Sequence, residues 1–369
     1  MKIIIAEHYN HYKVLENTYH LLKKHCYITF YVNSDKERNK EALFPSARKT
    51  KLIENKFHRS TFFIWLLFIG WRYNYINIST GPEHDYFIDI LNVIFFYICC
   101  AVYRNKIILT VKNSRAYLDT TPGIYSFIRS SAIKYIKRFT FETKTLRKVF
   151  SEHNKSNISL LGVSYDRYTD LRKKKIIEQE VIAQKKEVNI GLLGILTDFR
   201  RDYNLIINAL VELSATERKK IKFITLGATP GGSDNPIIKE FIKHTEVDYI
   251  SGWITAEQFD QRGNACDILI STLQRKFEYG IYKGTGSFGD AIYLKKKIIL
   301  PDYVDPDFEF KKISVYYSNK EELVNIFKNI EQYITEKIPS EMEDNYTTES
   351  VFNCLMKDLE IPCNGDKRT

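Results

Sequence analysis

Short runs of β-branched and aliphatic residues recur along the chain, each separated from the next by a helix-length stretch. In the first half KIIIAEH reads as a strand, residues 11–25 as a helix and YITFYVN as a second strand. YNYINIST, a helix over about 86–103, KIILTV, a helix over 123–136, KRFTFE, the helical TLRKVF and ISLLGV continue the pattern. A charged, helix-prone connector, RKKKIIEQEVIAQKKE (172–187), interrupts it. The alternation then restarts with VNIGLLGIL, a helix over 202–214, IKFITLGA, a helix over 235–244, VDYISGW and a helix over 255–263. DILIST, KIILP and a closing helix over 320–336 complete it. Repeated βα units need crossover connections and so dictate mostly parallel, doubly wound sheets. The expected fold is α/β, with one Rossmann-like domain over 1–170 and a second over 171–345. A last helix within 346–369 is expected to pack back on the first domain. No repeat of solenoid period is present.

The 369 residues suffice for two cores, and 44% hydrophobic with 27% charged residues describes a globular chain. MKIIIAEH reads as a first buried strand rather than a secretory signal. The six cysteines show no CxxC pair and no zinc-like spacing, which fits reduced thiols and a cytoplasmic protein. FFIWLLFI (62–69) and VIFFYICCAVY (93–103) are apolar but well short of the roughly 20 residues that span a bilayer. The second reads as a buried helix. The first, with Trp65, Trp71, Arg59 and Arg72, suits either a core or a membrane interface.

Charge is uneven. Residues 1–165 carry 25 Lys+Arg against 12 Asp+Glu, net +13, and the remainder 30 against 33, net −3. One basic half facing an anionic lipid surface, an acidic acceptor or nucleic acid would explain this, and so would plain solvated surface charge.

KGTGSFGDAIYLKKKIILP (283–301) places small residues ahead of a helix. Backbone N–H groups and the helix dipole attract phosphate at such a mouth, although a tight loop alone also calls for glycine.

Six segments, in order, resemble the GT-B glycosyltransferases, above all the family-four group of bacterial sugar transferases. LLGVSYDRY (160–168) is similar to the family's strand followed by NGVD, and LLGILTDFRRDYNLIINAL to the opening of its second domain. VDYISGWITAEQF, ACDILIST, GTGSFGDAIYLKKKIILP and VYYSNKEELVNIF follow where the family has its own versions. The resemblance covers residues 157–337 and implies two Rossmann-like domains facing a cleft. It implies a nucleotide-sugar donor whose diphosphate lies against Gly284, Gly286 and Ser287, with Asp290 accepting from the ribose. Asp290 also suits an ordinary helix acid. The family's lysine aligns with Arg201, or with Arg200 under a one-residue shift, and arginine can clamp a diphosphate bidentately; a surface ion pair is the other reading.

The chain also departs from the pattern. The family's two glutamates stand eight residues apart, yet Tyr282 is eight before Asp290, and Glu278 in KFEYG is the nearest substitute. The arginine of the family's first glycine turn is Ile195, and its small-residue turn after the helix is the lysine triplet 295–297. Trp253 falls in the base-binding loop, where it suits stacking on the base or a core position.

In the first half, AEHYNHY (6–12) and STGPEHDY (79–86) end strands, where such folds place ligands. His84 stands near the family's sugar-contacting histidine, with Glu83 and Asp85 beside it and Glu7 and His8 at the other strand end. A helix cap accounts for Asp85 equally well. The resemblance favours retention of configuration, without a cofactor. DPD (305–307) mimics a metal motif of another glycosyltransferase fold, but its place after IILPDYV reads as a loop, and no metal is assigned.

The expected activity is transfer of a sugar from a nucleotide-diphosphate donor to a glycan or lipid-linked acceptor. The setting is bacterial surface polysaccharide synthesis (capsule, O-antigen or lipopolysaccharide), in the cytoplasm or peripheral to the inner face of the plasma membrane. The rivals are a sugar-nucleotide 2-epimerase on the same fold and a non-enzymatic polyanion binder. Nucleic acid is not an expected partner, since no basic stretch is interleaved with aromatics as in known modules.

Overall fold

A computed structural model describes residues 1–7, 18, 22, 26–33, 51–55, 61–82, 90–118, 123–153, 187–334, 338 and 348–358. The chain forms two compact units. The first contains residues 1–167, 282–284 and 346–369, and the second 168–281 and 285–345.

The first unit is built on β1 (Lys2–Glu7), β2 (Tyr27–Asn33), β3 (Lys51–Asn55), β4 (Tyr75–Thr80), β5 (Ile107–Val111) and β6 (Arg138–Phe141). They form one parallel sheet in the order β3-β2-β1-β4-β5-β6. Strands covered on both faces are apolar throughout, and β5 is buried at every position. On one face α1 (Phe62–Ile69), α2 (Ile90–Val102) and α3 (Ile124–Ile133) pack side by side. They bury Phe63, Phe96, Cys100 and Ile133 against Ile4, Ile76 and Leu109. Alternate residues of a strand face opposite ways. Ile3 and Ile5 accordingly meet Val351 and Leu355 of α12 (Thr348–Asp358), so the last helix packs on this sheet. α4 (Lys144–His153) follows β6. β3, KLIEN, was not anticipated as a strand. It is a charged segment at the sheet edge, where a strand needs no apolar face on both sides.

The second unit comprises β7 (Val188–Leu193), α5 (Tyr203–Val211), α6 (Ala215–Arg218), β8 (Ile221–Leu226), α7 (Pro236–Ile242), β9 (Glu246–Asp248) and α8 (Ala256–Ala265). β10 (Ile268–Ile270), α9 (Gly286–Leu294), β11 (Ile298–Pro301), β12 (Ser314–Tyr317), α10 (Lys320–Lys328) and α11 (Ile330–Ile334) complete it. Its parallel sheet runs β12-β11-β10-β7-β8-β9. Side-chain caps start its helices: Asp202 accepts from Leu205 N–H, Asn319 from Glu322 N–H, and Ser214–Glu217 and Thr255–Gln258 form capping boxes. The helix expected over 320–336 breaks into α10 and α11 at Asn329 (φ −111°, ψ 24°). Both sheets share the doubly wound strand order, two strands to one side of the first strand and three returning on the other.

Among the described residues no helix is long and apolar enough to cross a membrane.

Candidate functional site

In a doubly wound sheet the crevice for a ligand opens at the carboxyl ends of the two strands where the order reverses. In the second unit those strands are β7 and β10. β7 runs out at Gly194 in the left-handed region (φ +89°), a conformation that costs other residues strain. A Cβ on Gly227, just after β8, would meet Gly194 O at 2.0 Å, so two backbones touch here. The chain after Gly194 then crosses to the segment after β10. Asp202 N–H donates to Thr272 O (2.7 Å) and Gln274 N–H to Arg200 O (2.9 Å). The Gln274 amide donates to Asp198 O (2.9 Å) and Arg201 O (3.0 Å). Tyr303 O–H donates to Leu273 O; burial foremost pushes this phenol up to about 12, so it stays a donor at neutral pH.

This clamp separates the two arginines. Arg200 is exposed, its guanidinium 5.8 Å from the Phe199 ring centroid. Arg201 turns inward over Gly194, where a Cβ would meet its Cζ at 2.1 Å. Its Nε is buried with no hydrogen-bond partner, and so are Thr272 Oγ1 after β10 and Thr229 Oγ1 after β8. Three orphaned polar atoms at the ends of three adjacent strands carry a desolvation cost, which acceptors and donors on a ligand would offset.

α9 begins at the same sheet end. Thr285 caps it by accepting from Ser287 N–H (3.3 Å). Its hydroxyl donates to Ser287 Oγ (3.0 Å), and Ser287 donates to Ser271 Oγ at the end of β10 (3.0 Å). This buried chain of hydroxyls ties the helix mouth to the strand. Gly286 at the first helical position is exposed, and a Cβ there would meet nothing. Gly284 lies in the first unit: its N–H donates to Lys112 O (3.0 Å), so that amide is already engaged. Asp290 is half-buried and fifth in the helix, beyond the first turn where the dipole would explain an acid.

Glu278 closes a single 3-10 turn over Arg275–Phe277 with φ 55°, half-buried. A left-handed glutamate is a strained residue, of the kind that concentrates at ligand sites. Trp253 is 73% exposed, not a core residue. Its loop is pinned by two backbone bonds between Thr229 and Gly252 (2.9 and 3.0 Å), which fixes the ring's base without covering its faces. The lysine triplet after α9 has Lys295 at φ 56° in the capping position usually held by glycine. Asp305 of DPD is buried; its carboxylate accepts from Glu309 N–H (2.9 Å), Phe310 N–H (2.8 Å) and Tyr316 O–H. That carboxylate staples a loop. Among the described residues no three His, Cys, Asp or Glu side chains group as a metal site.

In the first unit the order reverses between β1 and β4. Glu7 ends β1 there, 2% exposed, in register with Thr80 after an irregularity between Ala6 and Glu7. Just beyond, buried Arg129 donates to Pro82 O (3.0 Å), anchoring the chain before Glu83. His8, Glu83, His84 and Asp85 lie outside the described residues.

Solved structures with this arrangement span nearly the whole chain. The lipopolysaccharide outer core galactosyltransferase WaaB, in its apo form, superposes with a TM-score of 0.60 at 12% identity, covering 98% of this chain and 99% of that one. The fold is that of the GT-B glycosyltransferases. WaaG, a glycosyltransferase involved in lipopolysaccharide biosynthesis, gives a TM-score of 0.54 at 11% identity, covering 96% and 94%. The UDP-GlcNAc 2-epimerase from Neisseria meningitidis bound to UDP-GlcNAc gives 0.56 at 12%, covering 97% of each chain. No protein-family model and no curated protein sequence matches. The GT-B frame supports transfer and epimerisation alike, so the residues at the sheet ends carry the functional argument.

Reading the sequence missed Thr229 and Thr272, the hydroxyl chain from Thr285 to Ser271, and the aromatic residues Phe199, Phe277 and Tyr279. The threonines had a weak signal in their place directly after strand runs; the aromatics had none.

Proposed function

We propose that the chain is a glycosyltransferase that moves a sugar from a nucleoside-diphosphate sugar onto a glycan or lipid-linked acceptor during bacterial surface polysaccharide assembly. The observation that carries this is Arg201: a guanidinium seated over Gly194 at the switch point, its buried Nε lacking an acceptor. A diphosphate supplies acceptors in the fork geometry that arginine matches. As the glycosidic bond breaks, negative charge grows on the leaving diphosphate. Arg201 and the α9 mouth would stabilise that charge without reorganising, which lowers the barrier. Glu278 and Asp290 would accept from hydroxyls of the donor sugar and ribose, and Trp253 would stack on the base. On the acceptor side we assign Glu7, with His84 and Glu83, to contacts with the reacting sugars. The donor site as read needs no metal, and the family resemblance favours retention. The likeness to WaaB and WaaG, which act in lipopolysaccharide synthesis by their descriptions, supports the polysaccharide setting.

A thermal-shift panel of UDP, GDP, CDP and dTDP sugars tests the reading. One nucleotide series should raise the unfolding temperature in proportion to the logarithm of ligand over Kd. If no member of the panel raises it, the donor assignment fails.

A second reading, sugar-nucleotide 2-epimerisation, is favoured by the equally extensive likeness to 2-epimerases. Incubation of donor without acceptor separates the two: an epimerised sugar supports the epimerase, and turnover only on adding acceptor supports the transferase.

A further inference from the structure

Beside the donor residues, three rings stand together on the clamped loops. Phe199 and Phe277 have centroids 5.1 Å apart, and Phe277 and Tyr279 6.5 Å. Phe199 is 65% exposed, whereas Phe277 and Tyr279 are half-covered. An exposed phenylalanine is a lone cost in water, but rings that keep company at a switch point form an apolar shelf that asks for a ligand. Charged groups fringe it: the Arg200 guanidinium stands 5.8 Å from the Phe199 centroid and the Lys276 ammonium 5.2 Å from that of Phe277. The shelf is also held in place. The bonds from Gln274 to Asp198, Arg200 and Arg201 lock the loop bearing Phe199 to the loop bearing Phe277, so little ordering entropy is lost on binding.

A pyranose ring has the matching chemistry. One of its faces presents C–H groups that pack on an aromatic ring, while its hydroxyls project at the edge towards charged side chains. We propose that Phe199, Phe277 and Tyr279 form a sugar-stacking subsite for the acceptor glycan, with Arg200 and Lys276 bonding its hydroxyls. A purely apolar partner would leave both cations without acceptors, and a nucleobase is already provided for at the exposed Trp253, on the loop after β9. The proposal rests on the glycosyltransferase reading, and it adds an acceptor contact on the same unit as the donor site.

The test uses the full-length protein and saturation-transfer NMR with methyl α-D-glucopyranoside and methyl β-D-galactopyranoside as probes. Wild type should transfer saturation to ring C–H protons of at least one glycoside. Phe199→Ala and Phe277→Ala should each weaken that binding about two- to tenfold, the range for one aromatic contact. Arg200→Gln should weaken it less. Nucleotide binding, read as the thermal shift with the donor series, should be unchanged in the two phenylalanine variants, which also shows that they fold. Absence of glycoside binding to wild type, or equal binding by wild type and both phenylalanine variants, overturns the subsite. Loss of nucleotide binding in the wild type instead overturns the glycosyltransferase reading on its own, because that readout does not use the shelf.

Discussion

The Arg201 guanidinium lies against the α-carbon of Gly194, so closely that a Cβ at residue 194 would meet Arg201 Cζ and Nη2 at 2.1 Å. Glycine here serves two ends at once, the left-handed turn that ends β7 and the floor on which the guanidinium rests. Gly194→Ala should therefore do more than strain the backbone by the roughly 1–2 kcal/mol that a left-handed alanine costs. It should also push Arg201 off its seat. Thermal unfolding and donor-nucleotide titration should both move, and a variant that unfolds earlier yet binds nucleotide like wild type would separate the turn from the site.

Arg201→Ala should lower affinity for the donor nucleotide by about 1.5–3 kcal/mol, the worth of a hydrogen bond to a charged group. Arg200→Ala, exposed beside Phe199, should cost less. The apo protein should lose little stability in Arg201→Ala, because the buried Nε has no partner to give up. Isothermal titration with the nucleotide found in the donor panel measures both; equal affinities in the two variants and wild type would remove this loop from the site.

Asp305 should matter for folding and not for metal binding. Its carboxylate serves two backbone N–H groups and Tyr316, so Asp305→Ala leaves buried donors unmet and should cost about 2–4 kcal/mol in urea unfolding. Transfer activity of the wild type should persist in excess EDTA. A complete loss, restored by magnesium, would assign DPD a metal after all.

At residue 295 glycine should outperform alanine. Lys295 closes α9 with φ 56°, a conformation free to glycine and strained for any side chain. Lys295→Gly and Lys295→Ala lose the same side-chain contacts, so their difference isolates the backbone. Lys295→Gly should be the more stable by about 1 kcal/mol in chemical denaturation. Equal midpoints would mean that the turn relaxes at no cost.

The first unit should bind anionic membrane. Trp65, Phe68 and Trp71 are exposed on and just after α1, with Trp71 62% exposed and Arg72 against its ring. Together with the net +13 of residues 1–165, this offers aromatic groups for the interface and cations for headgroups, at about 1 kcal/mol per close cation. Full-length protein should co-sediment with phosphatidylserine-containing vesicles at low salt and be released as salt screens the attraction. Trp65→Ser with Trp71→Ser should reduce the bound fraction at fixed salt. Protein that stays in the supernatant at low salt would favour a soluble acceptor.

The chain's local pattern determined the two parallel sheets. Runs such as KIIIAE, IILTV and IKFITL are apolar at nearly every position, and only a strand covered on both faces tolerates that. The start of α9 was legible for a local reason too, since glycines and a serine stand directly ahead of an apolar, helix-length run. KLIEN was not legible, because an edge strand can be charged and short. The helix over 320–336 was seen as one where Asn329 makes two. The inward turn of Arg201 and the outward turn of Arg200 required the tertiary structure: adjacent arginines are alike in sequence, and Gln274, some seventy positions further along, holds the backbone that separates them. The ring cluster of Phe199 and Phe277 arises the same way. Strand and cap signals act over a few residues and survive in the linear pattern. Neighbours brought together at the ends of β7 and β10 are chosen by the sheet order, which exists only once the chain has folded.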